Sequence, residues 1–538
     1  MYAGNTQQNH SSWIICGQLV SLLLLVVSAG LVVTTLVSVA KHDPVEVVRG
    51  FLLTLVLTAV LSALGFFAFR RKAGRRKLEP TARDAFFSVS IGWLLVSVIA
   101  ALAFKLTIGL PWADAIFETS SGLTTTGATI LNDPALFEPA QSAAQTEPAA
   151  APLYGVLFWR ATLNWLGGVG IVFFVLLLLP MLKMGQSKLL YNAEVPGLKT
   201  TADQPTPHLF TSGMWVLAAY IGLTAAAGGL YWWCGMSGFD AVCHAFSTIS
   251  TGGFSPRLDG LAHYNHLPVL QWVVVLFMFL SACNFSLHIL RAQHLFSTKS
   301  IHWKDEECRV FIVVTLLATA FVALMLWKNG ISREALFLNG VGGEAASIEE
   351  YLRVAAFQVV TVLSTTGFCN GNWETWGIPG VIILLVALMI PCGCGGSTAG
   401  GMKWSRIIVV FKHLGFEIRR CLTPRMVQDL RLNNERLDRP LVSKTLAFFV
   451  LYLIVIMAVT FLLSICDPVA NDISTAFGAA ITSLSNVGPG FGAVNPAGNF
   501  ADFNAFSKLL LAFTMIIGRL ELFTIIVFSL PSNWKNNS

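Results

Sequence analysis

The sequence predicts an all-α polytopic membrane protein: four pseudo-symmetric helix, re-entrant loop, helix repeats around one axis, preceded by an extra N-terminal helical pair. Three observations predict it. Of 538 residues, 55% are hydrophobic and only 12% charged, with a positive mean hydropathy. That balance excludes a soluble domain of this length. A spanning helix needs about 20 mostly apolar residues, and ten runs qualify as candidates: 13–40, 50–69, 86–108, 154–182, 210–235, 267–290, 309–328, 378–411, 440–466 and 506–530. Finally, a short Gly-containing segment lies between the members of each of the last four pairs of runs.

The four segments are Thr124-Thr125-Thr126-Gly127-Ala128, Ser250-Thr251-Gly252-Gly253-Phe254, Ser364-Thr365-Thr366-Gly367-Phe368 and Ser485-Asn486-Val487-Gly488-Pro489. Aligned on their last glycine they are 126, 114 and 121 residues apart, and Ala115, Ala241, Ala355 and Ala476 each lie twelve residues ahead of it. A single Gly in a membrane helix commonly just allows close helix packing. Four at so regular an interval, each beside hydroxyl or amide residues, mark a repeated structural unit.

Along the chain, 1–82 forms the two-helix extension. Its first run is longer than a signal-peptide core, follows no Lys or Arg and leads straight into another span, so it reads as a retained helix. Residues 83–190, 191–300, 301–430 and 431–538 form repeats one to four. The segments 70–84, 183–208, 291–309, 403–444 and 531–538 hold 25 of the 35 Lys and Arg residues. The positive-inside rule puts all five in the cytoplasm, together with both termini, and the Gly loops on the outer half. The net charge of +6 then reflects topology and implies no nucleic-acid partner. The outer stretch 135–153 is an Ala/Pro-rich surface insertion of no assigned role.

The ten cysteines are scattered, mostly in or beside spans, and predict no disulfide framework. Cys392-x-Cys394 lacks the further ligands of a four-coordinate metal site.

Irregular backbone at membrane depth requires protein or a wet cavity to satisfy it. Carbonyls around four related glycines that point at one axis can replace the hydration shell of a monovalent cation. Gly allows the required dihedrals and keeps the column free of side chains. The short helix before each loop directs its negative C-terminal end toward the same place.

Beyond the four loops, the chain contains Trp159-Arg160, then Asn164-Trp165-Leu166-Gly167-Gly168-Val169-Gly170. It also contains Gly395-Gly396-Ser397-Thr398-Ala399-Gly400-Gly401-Met402-Lys403 and Gly518-Arg519-Leu520-Glu521. With these motifs, nearly all of the chain from about Arg83 onward resembles the Trk/Ktr/HKT superfamily of potassium transporters, most closely its TrkH-type transmembrane subunits. The resemblance implies four non-identical repeats around one central pore. It implies a potassium-binding selectivity filter at Thr125, Thr126, Gly127, Thr251, Gly252, Gly253, Thr365, Thr366, Gly367, Asn486, Val487 and Gly488. Gly127 in the first filter column, where sodium-type members carry Ser, implies potassium preference, with rubidium also accepted. The family further implies a homodimer in the lipid of a bacterial inner membrane, with cytosolic TrkA-type nucleotide-binding regulatory subunits. Nothing in this chain binds the nucleotide.

Two features read as gating elements. The run from Ile378 to Ile390 is too short to span before Pro391 and a Gly-rich segment interrupt it, so Cys392 to Lys403 is predicted to be an unwound loop. The resemblance places Gly395, Gly396, Ser397, Thr398, Ala399, Gly400, Gly401 and Lys403 in an ion-blocking position. Arg519 lies within an apolar run, where a basic residue is costly. Glu521 is on another helix face, which leaves a carboxylate from elsewhere or the pore itself as its environment. The resemblance favours the pore.

Other charges have simpler readings. Asp114 and Asp240 are expected to cap pore helices, and Lys105, Arg160 and Lys508 to snorkel from helix ends. Arg83-Asp84 is a topological anchor, His244, His288 and His294 pack, and the basic stretch 403–444 meets lipid headgroups or a regulatory protein. Alternatives are the potassium-translocating subunit of a P-type ATPase complex, or a non-conducting membrane sensor or enzyme. Against an enzyme, the chain lacks a Walker loop, an HExxH motif and a visible nucleophile and base pair. Coupling to protons or sodium stays open.

Overall fold

A computed structural model describes residues 2–73, 82–137, 152–178, 209–293, 305–338, 346–424, 429–433 and 435–520. The insertion at 138–151, the basic segment 183–208, His294, Glu521 and the C-terminal stretch lie outside the described residues. So do the side chains of Arg83 and Asp84.

Two long antiparallel helices, Tyr2–Ala40 and Val45–Ala73, open the chain. Small residues let them approach closely: the Ser62 hydroxyl donates to the Ser21 carbonyl at 2.7 Å, and Ser28 donates to Thr58 at 3.1 Å. In the turn between them, Asp43 accepts from the backbone amides of Tyr154 and Gly155 at 3.1 and 2.7 Å. That carboxylate caps the helix Tyr154–Leu178 and fixes the extension to the first repeat.

Each repeat then runs as outer helix, pore helix and inner helix. The outer helices are Ala82–Ala100 continued by Leu102–Thr107, Leu209–Trp233, Glu306–Lys328 and Arg439–Cys466. The pore helices are Trp112–Leu123, Gly238–Ile249, Ile348–Leu363 and Ile473–Ser485. At 12 to 16 residues they are too short to span. Three start on side-chain caps: Ser237, a Ser347–Glu350 capping box, and Asp472.

The inner helices are Tyr154–Leu178, Pro268–Ala282 continued by Phe285–Gln293, Pro379–Leu388 followed after a loop by Trp404–Leu422, and Ala505–Leu520. Among the described residues, six helices are long and apolar enough to span, or seven if the bent second inner helix counts as one. Apolar side chains such as Leu316, Leu317, Ile454 and Met457 stay exposed on outer helices, where a bilayer is their natural solvent. Among the described residues the one β pairing joins Arg431–Leu432 to Glu435–Arg436, a two-residue clip.

The apolar run 267–290, expected as one span, is broken. Its halves meet at 101°. Neither Gly nor Pro marks the break. The Asn284 side chain takes the Ser286 amide at 2.8 Å, and the loop of the third repeat takes two more of the freed backbone groups: Cys394 N donates to Ala282 O at 2.9 Å, and Phe285 N to Gly396 O at 3.1 Å. A helix break buried in a membrane needs such partners.

Candidate functional site

All four pore helices end in the same way. The amides of Thr126, Gly252, Thr366 and Val487 donate back five residues to Ser121, Ser247, Thr361 and Thr482, at 2.7 to 3.0 Å. This is the long bond of a Schellman cap, which requires a left-handed residue one position earlier. Those residues are Thr125, Thr251, Thr365 and Asn486, with φ of 54°, 56°, 55° and 56°. Gly is the usual occupant. A β-branched Thr in this region is strained by on the order of 1–3 kcal/mol, so three copies mark a conformation imposed by the site.

Two residues further on, Gly127, Gly253, Gly367 and Gly488 also have positive φ, from 75° to 100°. Each is packed against a backbone carbonyl of another repeat. A Cβ on Gly127 would collide with Gly252 O, on Gly253 with Thr366 O, on Gly367 with Val487 O, and on Gly488 it would lie 2.6 Å from Thr126 O. Real Cβ atoms essentially never come within 3.0 Å of such neighbours. The contacts run from repeat one to two, two to three, three to four and four back to one, so the loops form a closed ring. Thr126, Gly252, Thr366 and Val487 are all buried, and among the described residues none of their carbonyls accepts a hydrogen bond. Buried carbonyls without donors are rare and call for a reason.

The third inner helix stops at Leu388, and the chain stays irregular until Trp404, with positive φ at Cys392, Gly396, Gly401 and Lys403. The unwound segment expected at Cys392 to Lys403 is present. It sits on the C-terminal ends of three pore helices. Thr398 Oγ1 donates to Ile249 O at 3.0 Å, and the Gly400 amide donates to Thr365 Oγ1 at 2.8 Å. A Cβ on Gly400 would lie 2.5 Å from Ser485 O. Lys403 folds back on Ala399 O. From the outer helix Glu306–Lys328, the buried Glu307 carboxylate accepts from Gly395 N and Ser405 N, both at 2.8 Å, tying the loop to the start of the following helix.

Arg519 is buried and reaches this loop. It donates to Thr398 O at 2.6 Å and to Gly167 O at 3.1 Å, while its Nε lacks a hydrogen-bond partner. Among the described residues no carboxylate pairs with it. The Gly167 motif and the Gly395 to Lys403 motif therefore meet through Arg519. At the ring, Asn486 Nδ2 donates to Thr126 Oγ1 at 2.9 Å and to Met515 O at 3.0 Å, which joins the fourth loop to the first and to the Arg519 helix.

The charged residues beside the pore helices depart from the sequence expectations. Arg160 and Lys508 do not snorkel. Arg160 forms a buried ion pair with Glu118 at 2.8 Å, and Lys508 pairs with Asp114 at 2.7 Å. In the low dielectric of a packed membrane protein, a close acid is a better partner than distant water. Nor do Asp114 and Asp240 cap helices. Pro111 and Ser237 occupy those positions, and Asp240 instead accepts from Tyr264 at 2.6 Å and Arg257 at 2.8 Å. A space of about 130 Å³ beside the four ring glycines is lined by Arg160, Arg257 and Asp259, among others. His244 and His288 are held by hydrogen bonds within the fold. The described cysteines are free, and among the described residues no three His, Cys, Asp or Glu side chains gather into a metal site.

Four helix, pore-loop, helix repeats around a central pore define a membrane transport protein. More particularly, the chain belongs to the TrkH family of cation transport proteins, whose family model matches residues 48–537. It is 33% identical to the Trk system potassium uptake protein TrkH of Salmonella typhimurium over 525 residues, covering 96% of this chain and 98% of that protein. Against the Trk system potassium uptake protein TrkG of Escherichia coli it is 28% identical, covering 90% and 92%. The crystal structure of the potassium transporter TrkH from Vibrio parahaemolyticus superposes with a TM-score of 0.80 at 28% identity, covering 97% of this chain and all of that one.

Proposed function

We propose that this chain carries potassium into a bacterial cell across the inner membrane through the four-loop ring, which acts as its selectivity filter. The observation that carries this reading is the set of four buried carbonyls, one from each repeat, that accept no hydrogen bond among the described residues. A monovalent cation stripped of water supplies what they lack, and four helix C-termini ending at the ring add negative potential. The filter residues are Thr125 to Gly127, Thr251 to Gly253, Thr365 to Gly367 and Asn486 to Gly488. Rubidium, close to potassium in size, also passes.

The segment Gly395 to Lys403 is the gate. It rests on the ends of the pore helices, so an ion leaving the ring there meets it. Arg519 latches it in the closed state through Thr398 O and opposes cations by its charge. The protein works as a homodimer in lipid with both termini cytoplasmic. TrkA-type nucleotide-binding subunits dock on the cytoplasmic side and release the loop. The relatives are named as proteins of a Trk system, which supports a multi-component assembly.

The test is flux of potassium, rubidium and sodium into liposomes holding the purified chain, with Arg519→Ala alongside to release the latch. Potassium and rubidium entry well above sodium is the expected result. Equal entry of all three through folded protein would remove the filter from the account.

A further inference from the structure

Nine residues ahead of the four ring glycines, the pore helices carry Glu118, His244, Gln358 and Ala479. The first three are fully buried polar side chains in membrane-embedded helices, a costly placement unless each is satisfied. Each makes at least one hydrogen bond to the strand that leaves the ring, although the Gln358 Oε1 has no hydrogen-bond partner among the described residues. Glu118 accepts from the Ile130 amide at 3.0 Å and from the Thr129 hydroxyl at 3.0 and 3.1 Å. His244 Nδ1 lies 2.8 Å from Asp240 O, a carbonyl that can only accept, so this nitrogen carries the proton. Nε2 of the neutral ring then accepts from the Ser255 hydroxyl at 3.1 Å. Gln358 Nε2 donates to Asn370 Oδ1 and to Gly371 O, both at 3.0 Å.

The first brace is the only charged one, and it spans two repeats. Arg160 pairs with Glu118 at 2.8 Å, then donates to Thr129 Oγ1 at 3.0 Å and to Ser255 O of the second repeat at 3.1 Å. Its guanidinium also lies 4.2 Å from the centre of the Phe254 ring. Ser255 is thus gripped twice, by its carbonyl and by its hydroxyl. In the fourth repeat Ala479 has nothing to offer. There the exit strand lies directly on the pore helix: a Cβ on Gly478 would be 2.6 Å from Phe491 N, and Thr482 Oγ1 donates to Pro489 O at 3.1 Å.

We infer that Glu118, His244 and Gln358 are positioning residues that hold the exit strands and thereby fix the spacing of the carbonyl ring, with the Glu118–Arg160 pair the strongest of the three. The inference rests on the ring being the filter. A ring built from backbone that makes no internal ladder has little stiffness of its own, so its diameter is set by what grips the strands on either side. The pore helix grips the entry through the Schellman cap. The braces grip the exit.

The experiment measures the sodium-to-potassium permeability ratio and the thermal midpoint of purified protein in liposomes for Glu118→Ala, Gln358→Leu and Gly127→Ser. Each brace variant removes at least one buried hydrogen bond to the exit strand and is expected to raise the ratio about tenfold or more, including where the midpoint is unchanged. An unaltered ratio in folded Glu118→Ala protein overturns the inference, even if the midpoint falls. Should Glu118→Ala not fold because Arg160 is stranded, Gln358→Leu decides alone, since it strands no charge. Loss of selectivity in Gly127→Ser with both brace variants selective removes the braces and leaves the filter; retained selectivity in Gly127→Ser removes the filter reading beneath them.

Discussion

Truncating Arg519 to Ala should open the pathway. The side chain makes two hydrogen bonds to backbone carbonyls, one on the irregular loop and one on the first inner helix. A bond from a charged donor contributes about 1.5–3 kcal/mol. The two share one group and do not add in full, and water entering the space recovers part of the loss. A net release of about 1.5–3 kcal/mol for the loop corresponds to a roughly ten- to hundredfold larger open population. A second effect acts in the same direction. An ion passing within roughly 8 Å of the guanidinium meets about 2 kcal/mol of repulsion at an effective dielectric of about 20. The assay is rubidium uptake into liposomes at matched incorporation, with Arg519→Lys as a control that keeps the charge but not the planar fork. The account predicts at least a tenfold rise for Ala and an intermediate value for Lys. Flux unchanged or reduced in folded Arg519→Ala protein would refute the latch and the barrier together.

Two further expectations concern single contacts. Thr365→Val keeps shape but deletes the acceptor for the Gly400 amide, so the loop loses about 1 kcal/mol; a several-fold rise in flux should follow, and no rise would mean the loop is held elsewhere. Lys508→Ala leaves Asp114 unpaired in a site where the two side chains are only 7% and 20% exposed, and the loss should fall near the lower end of about 3–5 kcal/mol. A thermal midpoint in detergent equal to that of the parent would show that the pair is solvated.

Several parts of this architecture were legible because their signals are local. Gly127, Gly253, Gly367 and Gly488 stand at a regular interval, and each proves to need both a positive φ and a missing Cβ. Pro391 and the glycines after it announce the break between Leu388 and Trp404, since neither residue type sustains a helix. Arg519 was conspicuous as a cation in an apolar run. Its partners were not, because backbone carbonyls carry no sequence signature. Long-range pairs were equally silent. Glu118 and Arg160 are 42 residues apart, and Lys508 meets Asp114 only because the fourth inner helix packs on the first pore helix. The sharp bend at Cys283 and Asn284 lacks Gly and Pro because its stability comes from outside, from Cys394 and Gly396 of another repeat. Sequence reasoning read a continuous apolar run there, and only the tertiary partner makes the break affordable.

The most direct test of the central claim is a comparison of potassium, rubidium and sodium flux through the parent chain and Gly127→Ser. A Ser at φ 79° forces its Cβ into Gly252 O, so the ring must shift at the contact between the first two repeats. The account predicts potassium and rubidium entry well above sodium for the parent and a collapse of that preference in the variant. A folded Gly127→Ser protein that still prefers potassium would contradict the claim that this ring of carbonyls selects the ion.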